Sequence, residues 1–139
     1  MDEKTFVLDF IKKQKLATIS TVNENAKPEA AVIGFGQTNN LELIFGTNNS
    51  SRKYKNVVKN SSVAFVIGWD EGATVQFEGI ASELNDDDLP LIRDSYWSKS
   101  PDAEKYYEDE GQRYFRVRPT WIRYTDLKKE PWNIIVLEF

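Results

Sequence analysis

The sequence predicts a mainly β chain of the α+β type, an antiparallel sheet or barrel with flanking helices. Three observations lead there. Short apolar and β-branched runs recur along the first two thirds of the chain: Leu16–Val22, Pro28–Phe35, Leu41–Thr47, Ser62–Trp69 and Thr74–Ser82. Brief polar turns such as Asn23–Lys27, Gln37–Asn40 and Asp70–Ala73 separate several of them, as hairpins require. Helical spacing of apolar residues is confined to a few segments between or before these runs. At 139 residues one domain is the default, and a hydrophobic content of 40% supports a real core.

The elements follow in order. Asp2–Lys15 reads as a helix that Asp2 can cap, with Phe6, Phe10, Val7 and Ile11 on its apolar face and a lysine-rich end that suits the helix dipole. Leu16–Val22 alternates with period two, and neither face is cleanly polar, so both faces are expected to be covered. Pro28–Phe35 returns antiparallel with small residues at Ala30, Ala31 and Gly34. Small side chains let a flat ligand approach the backbone; a strand thinned for packing against the helix reads equally well. Leu41–Thr47 is the third strand and Ser62–Trp69 a buried one, while Gly79 marks a bulge or a close approach in Thr74–Ser82.

Asp86, Asp87 and Asp88 form a first helical turn rather than a calcium loop, because the alternating ligand spacing is missing. That helix is expected to run to about Trp97, with a second helical stretch over Pro101–Glu110. Tyr114–Val117, Trp121–Tyr124 and Ile134–Leu137 read as closing strands, the first two separated by Pro119. No repeat or linker interrupts the chain, so residues 1–139 are taken as a single domain.

The chain is organised around Gly46–Asn60, GTNNSSRKYKNVVKN. Ser50 or Ser51 is a suitable N-cap for a short helix. Arg52 and Lys53 then fall in its first turn, where the helix dipole disfavours cations by about 0.3–1 kcal/mol each. A bound anion would resolve that conflict, since free N–H groups, hydroxyls, a guanidinium and an ammonium would converge on one phosphate. The net charge is −4, yet Leu43–Trp69 contains no acid and carries Arg52, Lys53, Lys55 and Lys59. A solvated basic helix face fits the same charges.

Composition narrows the function classes. The chain has no cysteine and no histidine, which removes disulfides, thiolate chemistry and the commonest general base and metal ligand. No run reaches transmembrane length and MDEKTF lacks a signal-peptide pattern, so no membrane partner and a cytoplasmic protein are expected. The acidic balance argues against nucleic acid as a partner. Nine aromatics lie between Tyr96 and Trp132, interleaved with arginines. Nucleotide stacking is one reading; a packed rim or subunit interface is favoured.

TNNSSRKYKNVVKN resembles the phosphate-binding segment of the pyridoxamine 5′-phosphate oxidase-like family, the FMN-binding split barrels, and the short general-stress-protein branch in particular. The match runs through Thr47, Asn48, Ser51, Arg52 and Lys53, and the order of elements fits from Leu16 to Glu83. The resemblance implies a six-stranded antiparallel split β-barrel with flanking helices, working as a homodimer with FMN in clefts between subunits. Arg52 and Lys53 would hold the phosphate, and Thr47 and Ser51 would add hydroxyl contacts beside Gly46. Ala31, Val32, Ile33 and Gly34 would lie along the flavin ring. Gln76 would reach the site from either chain, and Trp121 of the second chain would cover the ring. Trp69 matches an aromatic that ends the next strand in the oxidases.

Three departures separate the chain from true pyridoxamine 5′-phosphate oxidases. Two basic positions of the second strand are Ala31 and Gly36 here. The glutamine before their Glu-Gly pair aligns with Thr74, with Gln76 two residues away on the same face. Their C-terminal Arg-x-His is absent. The resemblance implies an FMN-dependent oxidoreductase whose partner is a small-molecule electron donor or acceptor. The alternatives are a non-catalytic flavin-binding stress protein and a deazaflavin or haem binder on the same fold. Haem is disfavoured by the lack of His and Cys, with Met1 the sole methionine.

Overall fold

The computed structural model describes residues 1–139. Its first helix, α1 (Glu3–Lys12), is capped by Asp2, whose Oδ1 accepts the Thr5 amide at 2.7 Å. It buries Val7, Leu8 and Ile11. Phe6 remains 38% exposed and is not a core residue as the spacing suggested. It packs edge-on against Tyr124 at 5.1 Å, as Phe10 does at 5.3 Å, beside the Val7, Leu8 and Ile11 side chains that join the main core.

The sheet is built from β1 (Leu16–Val22), β2 (Pro28–Gly34), β3 (Gly36–Gln37), β4 (Leu43–Asn48), β5 (Ser62–Ile67), β6 (Ala73–Glu83), β7 (Gln112–Asp126) and β8 (Asn133–Glu138). Every pairing is antiparallel. The order is β2-β1-β5-β6-β7-β4-β3, with β8 alongside β7. Six long strands carry the barrel; β3 has two residues and β8 extends one margin. Only Phe35 separates β2 from β3, although they stand at opposite ends of that order. The chain therefore leaves β1 and joins β4 at a fully buried phenylalanine, and the sheet curls back on itself as a split barrel.

Three strand boundaries differ from the sequence reading. The buried strand ends at Ile67 and leaves Trp69 outside it, 49% exposed. Leu41 lies outside β4 at φ 63°, in the turn that the Leu41 amide closes onto the Thr38 carbonyl. Tyr114–Val117 and Trp121–Tyr124 are one 15-residue strand that passes through Pro119. Proline is tolerated there because the register to β6 shifts beside Gly79, and because β4 pairs β7 only up to Val117 while β8 joins at Trp121. A Cβ at Gly79 would stand 2.4 Å from the Arg118 carbonyl, so this glycine serves as both the bulge and the close approach.

Inside the barrel, Phe45, Phe65, Phe77 and Phe115 are nearly or fully buried, with ring centroids 5.3–6.2 Å apart in successive pairs. Each such side chain contributes about 1.5–3 kcal/mol by leaving water. A second, smaller cluster of Ile44, Ile92, Trp97 and Tyr114 lies beneath the helical segment that joins β6 to β7. That segment starts as a 3₁₀ turn at Asp86–Asp88, passes through one α-helical turn at Leu89–Ile92, widens to a π turn at Arg93–Trp97 and ends in a 3₁₀ stretch at Pro101–Tyr106. Asn85 caps it in a reciprocal capping box with Asp88, which accounts for the aspartate triplet. Trp97, Tyr107, Tyr114, Phe115 and Tyr124 all pack within the chain, so most of the aromatics set aside for a subunit interface have intrachain roles. No helix is long and apolar enough to cross a membrane.

Candidate functional site

The basic segment forms where the sequence puts it. β4 ends at Asn48, and the turn that follows is locked by the Asn48 side chain. Its Oδ1 accepts from the Ser50 amide at 3.0 Å and the Ser50 hydroxyl at 2.8 Å, and its Nδ2 donates to the Glu110 carbonyl at 3.0 Å. Ser51, not Ser50, caps α2 (Arg52–Lys59), with its Oγ accepting from the Tyr54 amide at 3.2 Å. Thr47 Oγ1 lies 2.8 Å from Ser51 Oγ, so the two hydroxyls satisfy each other. Thr47 is itself nearly buried.

The far side of α2 is fixed by polar contacts. Asn56, buried on the helix, donates from Nδ2 to Thr21 Oγ1 and Glu29 Oε1, both at 2.9 Å. Tyr54 donates to Glu83 Oε1 at 2.9 Å, which raises the phenol above its usual pKa. Lys59 pairs with Glu24 at 3.3 Å, well along the helix from Arg52.

Arg52 and Lys53 line a small cavity of about 130 Å³ together with Ile19, Thr21, Glu29 and Ala31. Ala31 thus stands where the oxidases carry a basic side chain, and its methyl leaves the space open. The other departed position is different in kind. A Cβ on Gly36 would lie 2.1 Å from the Ser95 carbonyl, so the Arg93–Trp97 turn fills the place a basic side chain would need. Glycine there is a packing requirement.

The remaining residues of the implied set are dispersed. Ile33 is buried in the core. A Cβ on Gly34 would meet the Tyr96 hydroxyl at 3.1 Å, and one on Gly46 would meet the Tyr114 ring at 2.7 Å, so both glycines are thin for packing. Val32 points to the other face of the sheet and is 61% exposed. Gln76 and Trp121 line a separate shallow groove with Thr18, Ser20 and Val66. Since Ile19 and Thr21 face Arg52 and Lys53, the alternation along β1 puts Gln76 and Trp121 on the opposite face. One chain alone does not bring them to the cationic cavity.

Glu29 is a residue of this candidate site that the sequence reading missed. Its carboxylate stands 3.4 Å from Arg52 Nη1 and accepts from Asn56 and, at 3.1 Å, from Asn23 Nδ2. Those two amide bonds, Asn56 first, hold the carboxyl below the usual glutamate range, with Arg52 a smaller contributor. A lone charge in an otherwise apolar β2 was the available signal. A larger cavity, about 480 Å³, lies under the helical segment and sets Glu83, Asp86 and Asp109 against Arg113. Volume favours that cavity; a place for an anion favours the smaller one.

The family model described as pyridoxamine 5′-phosphate oxidase matches residues 4–126. Among solved structures, general stress protein 26 from Bacillus anthracis str. Sterne is 22% identical with TM-score 0.78, and the match covers 100% of both chains. A pyridoxamine 5′-phosphate oxidase-related, FMN-binding protein from Nostoc punctiforme is 14% identical with TM-score 0.79, over 99% of this chain and 91% of that one. A haem-binding protein from Mycobacterium smegmatis is 13% identical with TM-score 0.83; the match covers 99% of this chain but only 59% of that one. No curated protein matches by sequence.

Proposed function

Because this chain belongs to the pyridoxamine 5′-phosphate oxidase family, we propose that it is a flavin-binding protein that holds FMN by its phosphate at the start of α2. The observation that carries this reading is the convergence of Arg52 and Lys53 on a cavity at a capped helix N-terminus, beside the small residue Ala31. FMN fits this donor set: the guanidinium and ammonium offset the phosphate charge, and the helix N-terminus favours an anion. When bound, FMN supplies electron or hydride transfer, and the protein supplies binding and orientation. An FMN-dependent oxidoreductase acting on a small-molecule donor or acceptor is the activity we infer. A true pyridoxamine 5′-phosphate oxidase is not, since the Arg-x-His pair is missing and Gly36 leaves no room for a basic side chain. The Mycobacterium protein is named for haem, but this chain offers neither His nor Cys as an axial ligand.

We further propose a homodimer in which each flavin touches both chains. Support comes from the outer face of the sheet. Val32, Thr18, Val66, Gln76, Arg123 and Val136 form one row across neighbouring strands. Val32, Val66 and Val136 in that row are 61%, 36% and 44% exposed. A second copy seated on this face would cover them.

Titration of FMN and riboflavin into the wild type and Arg52→Ala tests the site. One lost charge-assisted contact, about 1.5–3 kcal/mol, weakens FMN roughly ten- to a hundredfold and leaves riboflavin nearly unchanged. An equal loss for both flavins would assign Arg52 to the fold. Sedimentation across a dilution series, with and without FMN, tests the shared site, because a ligand bound only by the dimer must strengthen dimerisation. Full FMN binding by a monomer would refute it.

A further inference from the structure

We propose that Glu29 is a resident counter-ion of the anion site, which the phosphate of a ligand must displace from Arg52 and which thereby sets how tightly phosphate-bearing flavins are held. The inference rests on the phosphate reading of α2. It goes further by naming the residue that limits that affinity.

Three features support it. Glu29 lines the same cavity as Arg52 and Lys53, so the cavity carries two cationic side chains and one carboxylate, a net of one positive charge. The carboxylate does not depend on Arg52 for its position. Asn56 holds Oε1 at 2.9 Å and Asn23 holds Oε2 at 3.1 Å, so the group stays in place when the guanidinium leaves. Arg52 is the mobile partner. Its side chain is 76% exposed and that of Glu29 only 18%, so Arg52 can turn from the carboxylate to an incoming anion. A phosphate dianion arriving there meets a fixed negative charge as well as the two cations, and its binding is weaker than the cations alone would give.

The test compares two charge removals beside one helix. Glu29→Gln keeps the size of the side chain and an acceptor for Asn56. Glu24→Gln removes an equal charge next to Lys59, whose partner carboxylate is 71% exposed and outside the cavity. Kd is measured for FMN and riboflavin by flavin fluorescence. For inorganic phosphate it is measured by amide chemical shifts over residues 51–54.

Because an ion pair with one exposed partner is a modest opponent, Glu29→Gln is expected to tighten FMN and phosphate by about three- to tenfold. Riboflavin is expected not to change, and Glu24→Gln to shift nothing. Glu29→Asp keeps the charge but draws it back by one methylene, and a smaller gain is expected. It serves as the second variant if Glu29→Gln folds poorly. Weaker FMN in both Glu29 variants would show that the carboxylate organises the site, and would overturn the proposal. So would equal effects at Glu24 and Glu29, or the absence of any phosphate-induced shift in wild type and variants. If phosphate tightens as stated while FMN binds to none of the proteins, the counter-ion stands and the flavin reading falls.

Discussion

Residues 46–60 and residues 84–111 both carry the chain from one strand to another through helix, but their geometry has different origins. In the first, neighbours in sequence make the structure: Asn48 locks the turn, Ser51 caps α2, and Thr47 meets Ser51 four residues on. In the second, remote residues make it. Gly36 receives the Ser95 carbonyl, Gly34 faces the Tyr96 hydroxyl, and Trp97 packs against Tyr114 at 6.0 Å. Lys99 donates to Gln37 Oε1 at 2.7 Å and to the last-turn Ile11 carbonyl of α1 at 3.3 Å, over the Phe35 ring. The first region therefore takes its turn and cap from its own residues, and remote partners at Thr21, Glu29 and Glu83 only dock the finished helix. The second depends on the barrel it is docked against, and it pauses in 3₁₀ and π turns where a free helix would be regular.

The sharpest way to break this comparison is Trp97→Ala. Removing a tryptophan that is 5% exposed empties the smaller core and is expected to cost about 3–5 kcal/mol in urea unfolding. A loss below about 1 kcal/mol would mean that the segment is held by its own local bonds after all.

Ser51→Ala is the matching change in the first region. It removes the cap of α2 and the partner of Thr47, with an expected loss of about 1 kcal/mol. The ratio of the two losses measures how local each region is, and a larger loss at Ser51 than at Trp97 would invert the comparison.

Lys99 gives the most diagnostic effect. Burial pushes its ammonium down to about 7 in the folded chain, against an ordinary value of 10.5. Between those values the unfolded chain holds a proton that the folded chain has lost, so stability rises with pH through that window and is flat below it. Thermal unfolding at pH 6.5 and pH 9 is expected to show a larger gain at high pH for the wild type than for Lys99→Met. The opposite sign would show that Gln37, the Ile11 carbonyl and the Phe35 ring hold the charge in place.

How much of the molecule was legible follows the same division. α1, β1, β2 and α2 lie within a few residues of the ranges their spacing and caps indicate, because period and capping act over one turn or one strand. Pro119 misled because a proline in a strand argues for a break unless the ladder is already irregular there, and that irregularity belongs to Gly79, about forty residues upstream. For the aromatics between Tyr96 and Trp132 composition shows their number, but only packing shows that Trp97, Tyr107 and Tyr114 face each other while Phe115 and Tyr124 meet aromatics from elsewhere in the chain.

By itself the sequence determined the antiparallel succession of strands, the cap and cations of α2, and the family that the Thr47–Lys53 pattern identifies. Each of these rests on residues close enough in the chain for their backbone bonds to fix their relation. Only the tertiary structure decided that Glu29 stands against Arg52, that Gly36 is closed to any side chain, and that Gln76 faces away from the cationic cavity. Those relations depend on the register between strands and on which segment covers which face. A shift of one residue in register would reverse every one of the faces without altering a single local preference.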